Sequence, residues 1–213
     1  MEKIAVVGAG GFGREVKTLI DSINRAKPKY EFIGFFDDAL VKGKIVNGFP
    51  VLGGVEEINN VNENLCIAVA LGDPSTKKRV IAKIRSEFVN YPNLIHPTAL
   101  ISDDFVKIGR GNIICAGTII TCNIEIKDFV ILNLMCTVGH DTIINSYCSF
   151  MPSVNVSGEV LVKEGVYVGT GAEIINLVEI GEFTTIGAGA VVSRNLPSKC
   201  TAVGIPAKPI KFH

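Results

Sequence analysis

The stretch IKDFVILNLMCTVGHDTIINSYCSF, residues 126–150, carries an apolar residue at every sixth position. The same spacing extends in both directions and covers fifteen consecutive positions. These positions are Ile108, Ile114, Ile120, Ile126, Leu132, Val138, Ile144, Phe150, Val156, Val162, Val168, Ile174, Ile180, Ile186 and Val192. A period of six is neither that of an α-helix nor that of an ordinary strand, and it indicates a hexapeptide β-helix.

A hexapeptide β-helix winds three repeats into one triangular coil of about 18 residues, with the apolar residues pointing inward. Residues 108–197 would form five unbroken coils, each adding a short parallel strand to three faces. An earlier phase of the repeat, through Leu94, Leu100 and Val106, is expected to slip by two residues before the long array begins. Repeat arrays need capped ends, so residues 1–90 and the proline-containing tail are expected to cap this prism.

One of the three histidines, His140, lies between two apolar positions of this pattern and is followed directly by Asp141. Because residues 18 apart stack in neighbouring coils, the imidazole should lie between Cys122 and Gly158 on the outside of the prism. Gly158 would leave open space beside the ring, and the carboxylate of Asp141 could orient or polarise it. This spacing fits a general base, and it also fits a solvated surface histidine.

The first ninety residues follow a different pattern, that of a strand, a glycine loop and a helix. A continuous apolar run, Ile4–Val7, is typical of a buried parallel strand. Glycines with GxGxxG spacing follow from Gly8, and apolar residues at helical spacing come next. We therefore predict a small α/β, Rossmann-like domain over residues 1–90, followed by an all-β parallel β-helix over residues 91–213.

The glycine loop places backbone N–H groups at a helix N-terminus, where a phosphate can bind. The acidic pair Asp37 and Asp38 ends the next strand, at a position that commonly meets a ribose hydroxyl. The domain is too short for the two-halved dinucleotide fold, so a nucleotide or nucleotide-sugar site is favoured. An NAD-dependent oxidoreductase and a purely structural strand–helix turn are the alternatives.

Composition narrows the classes of function. Hydrophobic residues make up 47% of the 213 residues and charged residues 20%, with a formal net charge of zero, which argues against a nucleic-acid groove or a polybasic membrane patch. The first apolar run is too short for a signal peptide or a membrane span. Six cysteines show neither a CxxC pair nor zinc spacing. We therefore expect a cytoplasmic protein with reduced thiols and no metal site.

The order of these motifs along the chain resembles a known family. A short GxGxxG domain precedes the DD pair, NGFPVLGG and LIHPTA, and an uninterrupted hexapeptide prism with a GHD tripeptide ends in VGIPAKPIK. This order is similar, over essentially the whole chain, to the nucleotide-sugar N-acetyltransferases and sialic acid O-acetyltransferases of the left-handed β-helix family. The bacillosamine- and perosamine-N-acetyltransferases are members. The resemblance implies a left-handed coil, acetyl-CoA as co-substrate and a homotrimer with sites between subunits.

The resemblance also implies roles for individual residues. The histidine followed by an acidic residue matches His140 and Asp141, which implies a general base and its partner. The expected substrate-binding residues are Gly10, Gly11, Phe12, Gly13, Asp37, Asp38 and Asn133. The expected cofactor-binding residues are Ser149, Gly158, Thr170, Ala188, Pro206 and Lys208. One departure is Ser149, which stands where some relatives carry a second histidine.

The function implied is an acetyl-CoA-dependent N-acetyltransferase acting on a nucleotide-linked amino sugar, for which a UDP-4-amino-4,6-dideoxy sugar is expected. Such an enzyme would serve bacterial surface glycan biosynthesis by direct transfer, without a metal or a covalent intermediate. Two other functions are kept as alternatives. One is O-acetylation of sialic acid or another sugar, and the other is a trimeric nucleotide-sugar-binding scaffold without turnover.

Overall fold

The apolar run at the start of the chain forms the centre of a six-stranded sheet. The computed structural model describes all 213 residues. The elements of the N-terminal domain are β1 (Glu2–Val7), α1 (Gly11–Ala26), β2 (Tyr30–Phe36), β3 (Ile45–Val46), β4 (Phe49–Gly53), a 3₁₀ helix (Val55–Asn60), β5 (Leu65–Val69), α2 (Pro74–Lys83) and β6 (Val89–Asn90). The strand order is β3-β4-β2-β1-β5-β6.

Both faces of β1 are buried, as its continuous apolar sequence predicts. Ile4 and Val6 pack in a cluster with α1, whereas Ala5 and Val7 pack on the opposite face with Val80 of α2. Strand β1 pairs in parallel with β2 on one side and with β5 on the other. The chain therefore changes direction across the sheet at β1, and ligands of open α/β sheets bind at the carboxyl ends of strands at such a point.

The second part of the chain is a triangular prism of short parallel strands, a left-handed β-helix. The first face consists of Leu94–Ile95, Ile113–Ile114, Ile131–Leu132, Ser149–Phe150, Tyr167–Val168, Thr185–Ile186, Cys200–Val203 and Lys208–Phe212. The second face consists of Leu100–Ile101, Ile119–Ile120, Thr137–Val138, Asn155–Val156, Glu173–Ile174 and Val191–Val192. The third face consists of Lys107–Ile108, Glu125–Ile126, Ile143–Ile144, Leu161–Val162 and Glu179–Ile180.

All fifteen residues of the sixfold repeat point into one core, which confirms the predicted register. The pairing of Ile120 with Val138, and of Val138 with Val156, gives the predicted interval of 18 residues per coil. Each inward side chain thus stacks on its equivalent in the next coil, and the core is continuous along the prism.

The predicted phase of the first coil is wrong by one residue. Ile95 and Ile101, not Leu94 and Leu100, pair in register with the inward residues of the next coil. The side chain of Leu100 is 66% exposed. Both residues of each LI dipeptide are apolar, so the sequence period alone could not decide which one faces the core. The register therefore slips by one residue before Ile108, not by two.

The corners of the prism have a regular backbone conformation. A residue with positive φ occurs at every sixth position from Phe105 to Gly189, and those after Phe105 lie three residues after the inward residues Ile108 to Ile186. These residues are Phe105, Gly111, Gly117, Asn123, Phe129, Met135, Asp141, Tyr147, Ser153, Glu159, Gly165, Gly171, Leu177, Phe183 and Gly189. The left-handed region costs roughly 1–2 kcal/mol for most residues, and Asn and Asp enter it most readily. Asp141 is one of the two corner residues of that kind.

The N-terminal domain covers the first face of the prism. Leu94, Ile113 and Ile131 point outward from that face, yet all three are buried in one cluster with Val16 and Leu19 of α1. The two parts of the chain therefore share a core. Outward residues in the coils that the N-terminal domain covers are buried, whereas Tyr167 and Thr185, further along the first face, are half-buried.

The C-terminal tail continues the first face. Cys200–Val203 pairs in parallel with Thr185–Ile186, and Lys208–Phe212 returns antiparallel to it as the edge strand. The tail thus closes this end of the sheet, as expected for a cap. None of the helices is both long and apolar enough to cross a membrane.

Candidate active site

His140 lies at the corner between the second and third faces. Hydrogen bonds to the preceding and the following coil fix the backbone at this corner. Its carbonyl oxygen accepts hydrogen bonds from the Glu159 N–H at 2.8 Å and from the Thr142 hydroxyl at 3.4 Å. Thr142 is fully buried and also donates to the Ser157 carbonyl. The hexapeptide register therefore fixes the main chain from which the imidazole projects.

The imidazole of His140 and the carboxylate of Asp141 form a pair on the surface. His140 Nδ1 lies 2.7 Å from Asp141 Oδ2, and the two side chains are 56% and 49% exposed. The positive φ of Asp141, 57°, turns the main chain at the corner so that adjacent side chains can meet. The tautomer that donates from Nδ1 to Asp141 leaves a lone pair on Nε2, which can accept a proton.

Gly158 lies directly beside the imidazole ring, as the stacking interval predicts. A Cβ atom at this position would lie 2.5 Å from both Cε1 and Nε2 of His140, closer than real side chains approach. Glycine is therefore required for the ring to occupy its present place. Gly158 itself is buried.

The other residues expected at the cofactor lie on a different corner. Thr170 and Ala188 stack at the exposed corner between the first and second faces, and the second face separates them from His140 and Gly158. Pro206 and Lys208 are exposed in the C-terminal hairpin, which is tied to the end of the second face by the Ala207 N–H bond to the Val191 carbonyl. One chain therefore does not bring all these residues together.

Ser149 does not lie in an open groove, and the expectation that it contacts the cofactor is wrong for this chain. Its side chain is completely buried, and its hydroxyl accepts a hydrogen bond of 2.8 Å from Lys77 Nζ of α2. Lys77 also donates to the Cys148 carbonyl. The N-terminal domain covers this part of the first face, so an outward position in the repeat is not an exposed one here.

Lys77 is a buried residue that the sequence reading missed. Only 1% of it is exposed, and burial lowers the pKa of its ammonium from 10.5 to about 7. Its buried neighbours Pro74 and Val80 mark the inner stripe of α2, and that spacing was the available signal. Asp73 caps this helix by accepting a hydrogen bond from the Thr76 N–H.

The glycine loop leaves open space at the N-terminus of α1. Gly10 is the N-cap without a side-chain cap, and nothing lies within 4 Å of a Cβ placed at Gly10 or Gly11. The N–H groups of Gly11, Phe12 and Gly13 have no acceptor in the chain. A Cβ at Gly13 would meet the Gly8 carbonyl oxygen, so that glycine lets the helix approach the strand. An anion can therefore bind here.

Asp37 and Asp38 brace the crevice next to this loop. The carboxylate of Asp37 accepts hydrogen bonds from the N–H groups of Ala9 and Ala39, at 2.8 and 2.9 Å. Asp38 accepts a bond of 2.7 Å from the N–H of Val55. A cavity of about 200 Å³ lies beside both carboxylates. Their position fits the predicted nucleoside contact, although each already supports the backbone.

Asn133 is not next to His140 within one chain. It follows the strand Ile131–Leu132, at the corner where the first face ends, and the strand Thr137–Val138 separates the two residues. Asn133 is only 5% exposed and lines a cavity under α1.

No three His, Cys, Asp or Glu side chains are grouped so that they could hold a metal ion.

Comparison with known proteins gives consistent matches along the chain. Residues 3–84 match the PglD N-terminal domain family. GDP-perosamine N-acetyltransferase of Escherichia coli O157:H7 is 30% identical over 217 residues, covering 99% of this chain and 97% of that protein.

Two solved structures share the whole architecture. The acetyltransferase domain of PglB from Neisseria gonorrhoeae FA1090, in complex with acetyl coenzyme A, has a TM-score of 0.89 and 33% identity, covering 98% of this chain and 99% of its own. PerB from Caulobacter crescentus, in complex with CoA and GDP-perosamine, has a TM-score of 0.87 and 31% identity, covering 99% and 98%. The resemblance seen in the sequence is thereby confirmed, and the chain belongs to the nucleotide-sugar N-acetyltransferase family of acetyl-CoA-dependent left-handed β-helix enzymes.

Proposed function

We propose that this enzyme transfers the acetyl group of acetyl-CoA to the amino group of a nucleotide-linked 4-amino-4,6-dideoxy sugar, with His140 as general base. The observation that carries the proposal is the His140–Asp141 pair over Gly158, which leaves Nε2 exposed and unpartnered. A base of this kind contributes typically 10²–10⁴-fold in rate when it lies within hydrogen-bond reach of the proton it takes.

The proposed reaction is a direct transfer. The sugar nitrogen attacks the thioester carbonyl, His140 Nε2 takes the proton from that nitrogen, and Asp141 stabilises the imidazolium. The new N–C bond forms as the C–S bond breaks, and the proton passes to the departing CoA thiolate. A histidine suits this exchange because its ordinary pKa lies near neutrality, so it can both accept and release a proton.

The nucleotide would bind in the N-terminal domain. The free N–H groups at Gly11, Phe12 and Gly13 suit a diphosphate, and the cavity at Asp37 and Asp38 suits a nucleoside. The family resemblance led us to expect UDP, whereas GDP-perosamine is part of the name of one relative and is bound in the structure of another. Both nucleotides therefore belong in the assay.

The active enzyme would be a homotrimer with sites between subunits. Asn133 and His140 lie at opposite ends of one face, so a site that uses both needs the imidazole of a second copy. Large apolar side chains are exposed near these two corners, a pattern that marks protein interfaces. They are Ile119, Leu134, Met135, Ile143, Ile175 and Leu177.

Acetyl-CoA would lie in the groove between two prisms. Gly158, Thr170 and Ala188 would then meet the pantetheine, and Pro206 and Lys208 the adenine end. Small residues at the exposed corner keep the groove shallow, and Lys208 supplies a positive charge near the phosphates. The wider role would be bacterial surface glycan biosynthesis in the cytoplasm.

The test is a transfer assay with acetyl-CoA and a panel of UDP- and GDP-linked amino sugars, with free sialic acid as a second acceptor. Thiol release and mass spectrometry of the sugar would report transfer. We expect one nucleotide amino sugar to gain an acetyl group on nitrogen. Consumption of sialic acid alone would favour the O-acetyltransferase, and binding without any turnover would favour a scaffold.

A further inference from the structure

A buried hydroxyl group interrupts the apolar inner side of the corner that carries His140. Residues 18 apart stack at this corner, four residues after each inward position. The stacked residues are Val106, Ile124, Thr142, Val160 and Val178. Thr142 has no exposed surface, and its neighbours in the stack above and below are buried as well. The only polar side chain of this inner stack therefore lies in the coil of His140.

The hydroxyl of Thr142 bonds to main-chain groups on both sides of the imidazole. Its oxygen lies 3.2 Å from the Ser157 carbonyl oxygen and 3.4 Å from that of His140, so its one hydrogen is shared between two acceptors. The same oxygen accepts the Val160 N–H at 3.4 Å, and this N–H has no other acceptor in the chain. Thr142 thus ties the coil of His140 to the segment that flanks Gly158.

Buried side chains at the same place in other repeats make comparable bonds. Cys136 donates to the Met151 carbonyl, 15 residues further along, which is the interval from Thr142 to Ser157. Thr184 is fully buried and donates to the Pro197 carbonyl at 2.6 Å. Thr184 lies at the corner between the third and first faces, away from His140, so it is a matched residue without a candidate base beside it.

Two coils approach each other closely beside the imidazole. A Cβ atom at Gly139 would lie 2.7 Å from the Gly158 nitrogen, and one at Gly158 would lie 2.5 Å from His140 Nε2. The ring therefore occupies a narrow space, which the distance between its own coil and the next one sets. Moving a catalytic group by about 1 Å can cost roughly 10²-fold in rate. A bond that fixes this distance therefore bears on the reaction.

We propose that Thr142 is a positioning residue for acetyl transfer, whose hydroxyl holds the His140–Asp141 pair in place beside Gly158. Thr142 does not touch the substrate, and it acts through the placement of His140 Nε2. Without the hydroxyl, the buried Val160 N–H loses its acceptor and the two coils shift at this corner. This inference rests on the proposed function, because it takes His140 as the base.

The experiment compares Thr142→Val and Thr142→Ser with Thr184→Val and Thr184→Ser in the acetyl-transfer assay. Valine removes the hydroxyl and fills the same stack at Val160, whereas serine keeps the hydroxyl. We would measure kcat, the KM of each substrate and the unfolding midpoint of every variant. Both valine variants should lower the midpoint, because each removes a buried hydrogen bond. Stability alone therefore does not separate a positioning role from a structural one.

The expected kinetic result is a loss in kcat that is specific to Thr142→Val. Its kcat should fall about tenfold, because the imidazole is displaced. The KM of the nucleotide sugar and of acetyl-CoA should stay within about twofold, because no substrate contact is removed. Thr142→Ser should regain most of the rate, and both Thr184 variants should keep the wild-type kcat. In the His140→Ala background, Thr142→Val should cause no further loss.

Three results would overturn the inference: an unchanged kcat in Thr142→Val, an equal loss in Thr184→Val, or a loss that persists in Thr142→Ser. If Thr142→Val does not fold, Thr142→Cys takes its place, since Cys136 fills the equivalent position. Its weaker thiol donor should lower kcat while Thr184→Cys keeps it, and an unchanged kcat would again overturn the inference. Absence of transfer by the wild type would overturn the proposed function instead.

Discussion

His140 and Ser149 are polar residues nine positions apart in the same repeat, and they have opposite surroundings. His140 stands on a bare corner with its ring in solvent over Gly158. Ser149 points outward from a face, yet it is fully buried under α2 and bonded to Lys77. The repeat decides which residues point inward, but domain docking decides which of the others can meet a ligand.

Removal of the proposed base, His140, is expected to have the largest effect. His140→Ala should lower kcat by roughly 10²–10⁴-fold, because the sugar nitrogen loses its proton acceptor. The free energy of unfolding should stay nearly unchanged, since the ring is half exposed. Steady-state kinetics and chemical denaturation measure the two effects. His213→Ala is the matched control, and an unaltered rate in His140→Ala would exclude the catalytic role.

The burial of Lys77 should make the free energy of unfolding depend on pH. Burial lowers the pKa of Lys77 to about 7, so between pH 7 and pH 9 the unfolded chain binds more protons than the folded one. Stability therefore rises with pH in this window, by about 2–3 kcal/mol from this group. Lys77→Met should remove that rise.

The measurement is urea denaturation of the wild type and of Lys77→Met at the two ends of this pH window. The quantity compared is how much the free energy of unfolding of each protein changes between them. Lys83→Met, on the exposed side of the same helix, is the control and should behave as the wild type does. The same pH slope in Lys77→Met and the wild type would show that Lys77 is not buried as described.

A smaller effect is expected at the space beside the ring. Gly158→Ala places a methyl group 2.5 Å from the imidazole, so the ring must turn away and kcat should fall about tenfold. In the His140→Ala background the same change should cost little further activity, because its effect passes through the ring. Equal losses in both backgrounds would mean that Gly158 acts on the substrate directly.

The fold was largely readable from the sequence, because every inward position of the prism must be apolar to pack on the coils above and below it. The period of six therefore predicted the register of fifteen residues, and the 18-residue interval predicted that Gly158 lies beside His140. The first coil was misread because its LI dipeptides offer two apolar residues for one inward place.

The burial of Ser149 and Lys77 could not be read in the same way. Their contact joins residues 72 positions apart and depends on how the N-terminal domain packs against one face. Local periodicity carries no information about that packing. The separation of Asn133 from His140 was missed as well, since the resemblance matched both residues to one site although the width of one face of the prism lies between them.

The exposure of His140 is explained if a second copy of the chain supplies the rest of its site. A trimer assembled from two different variants tests this most directly. His140→Ala and Asn133→Ala would each be inactive alone, and the two chains would be co-expressed and assayed together. If sites form between subunits of a cyclic trimer, about a quarter of them combine an intact His140 with an intact Asn133, so about a quarter of wild-type activity should return. A mixture no more active than the two parents would contradict a shared site, because it would show that each chain needs both residues itself.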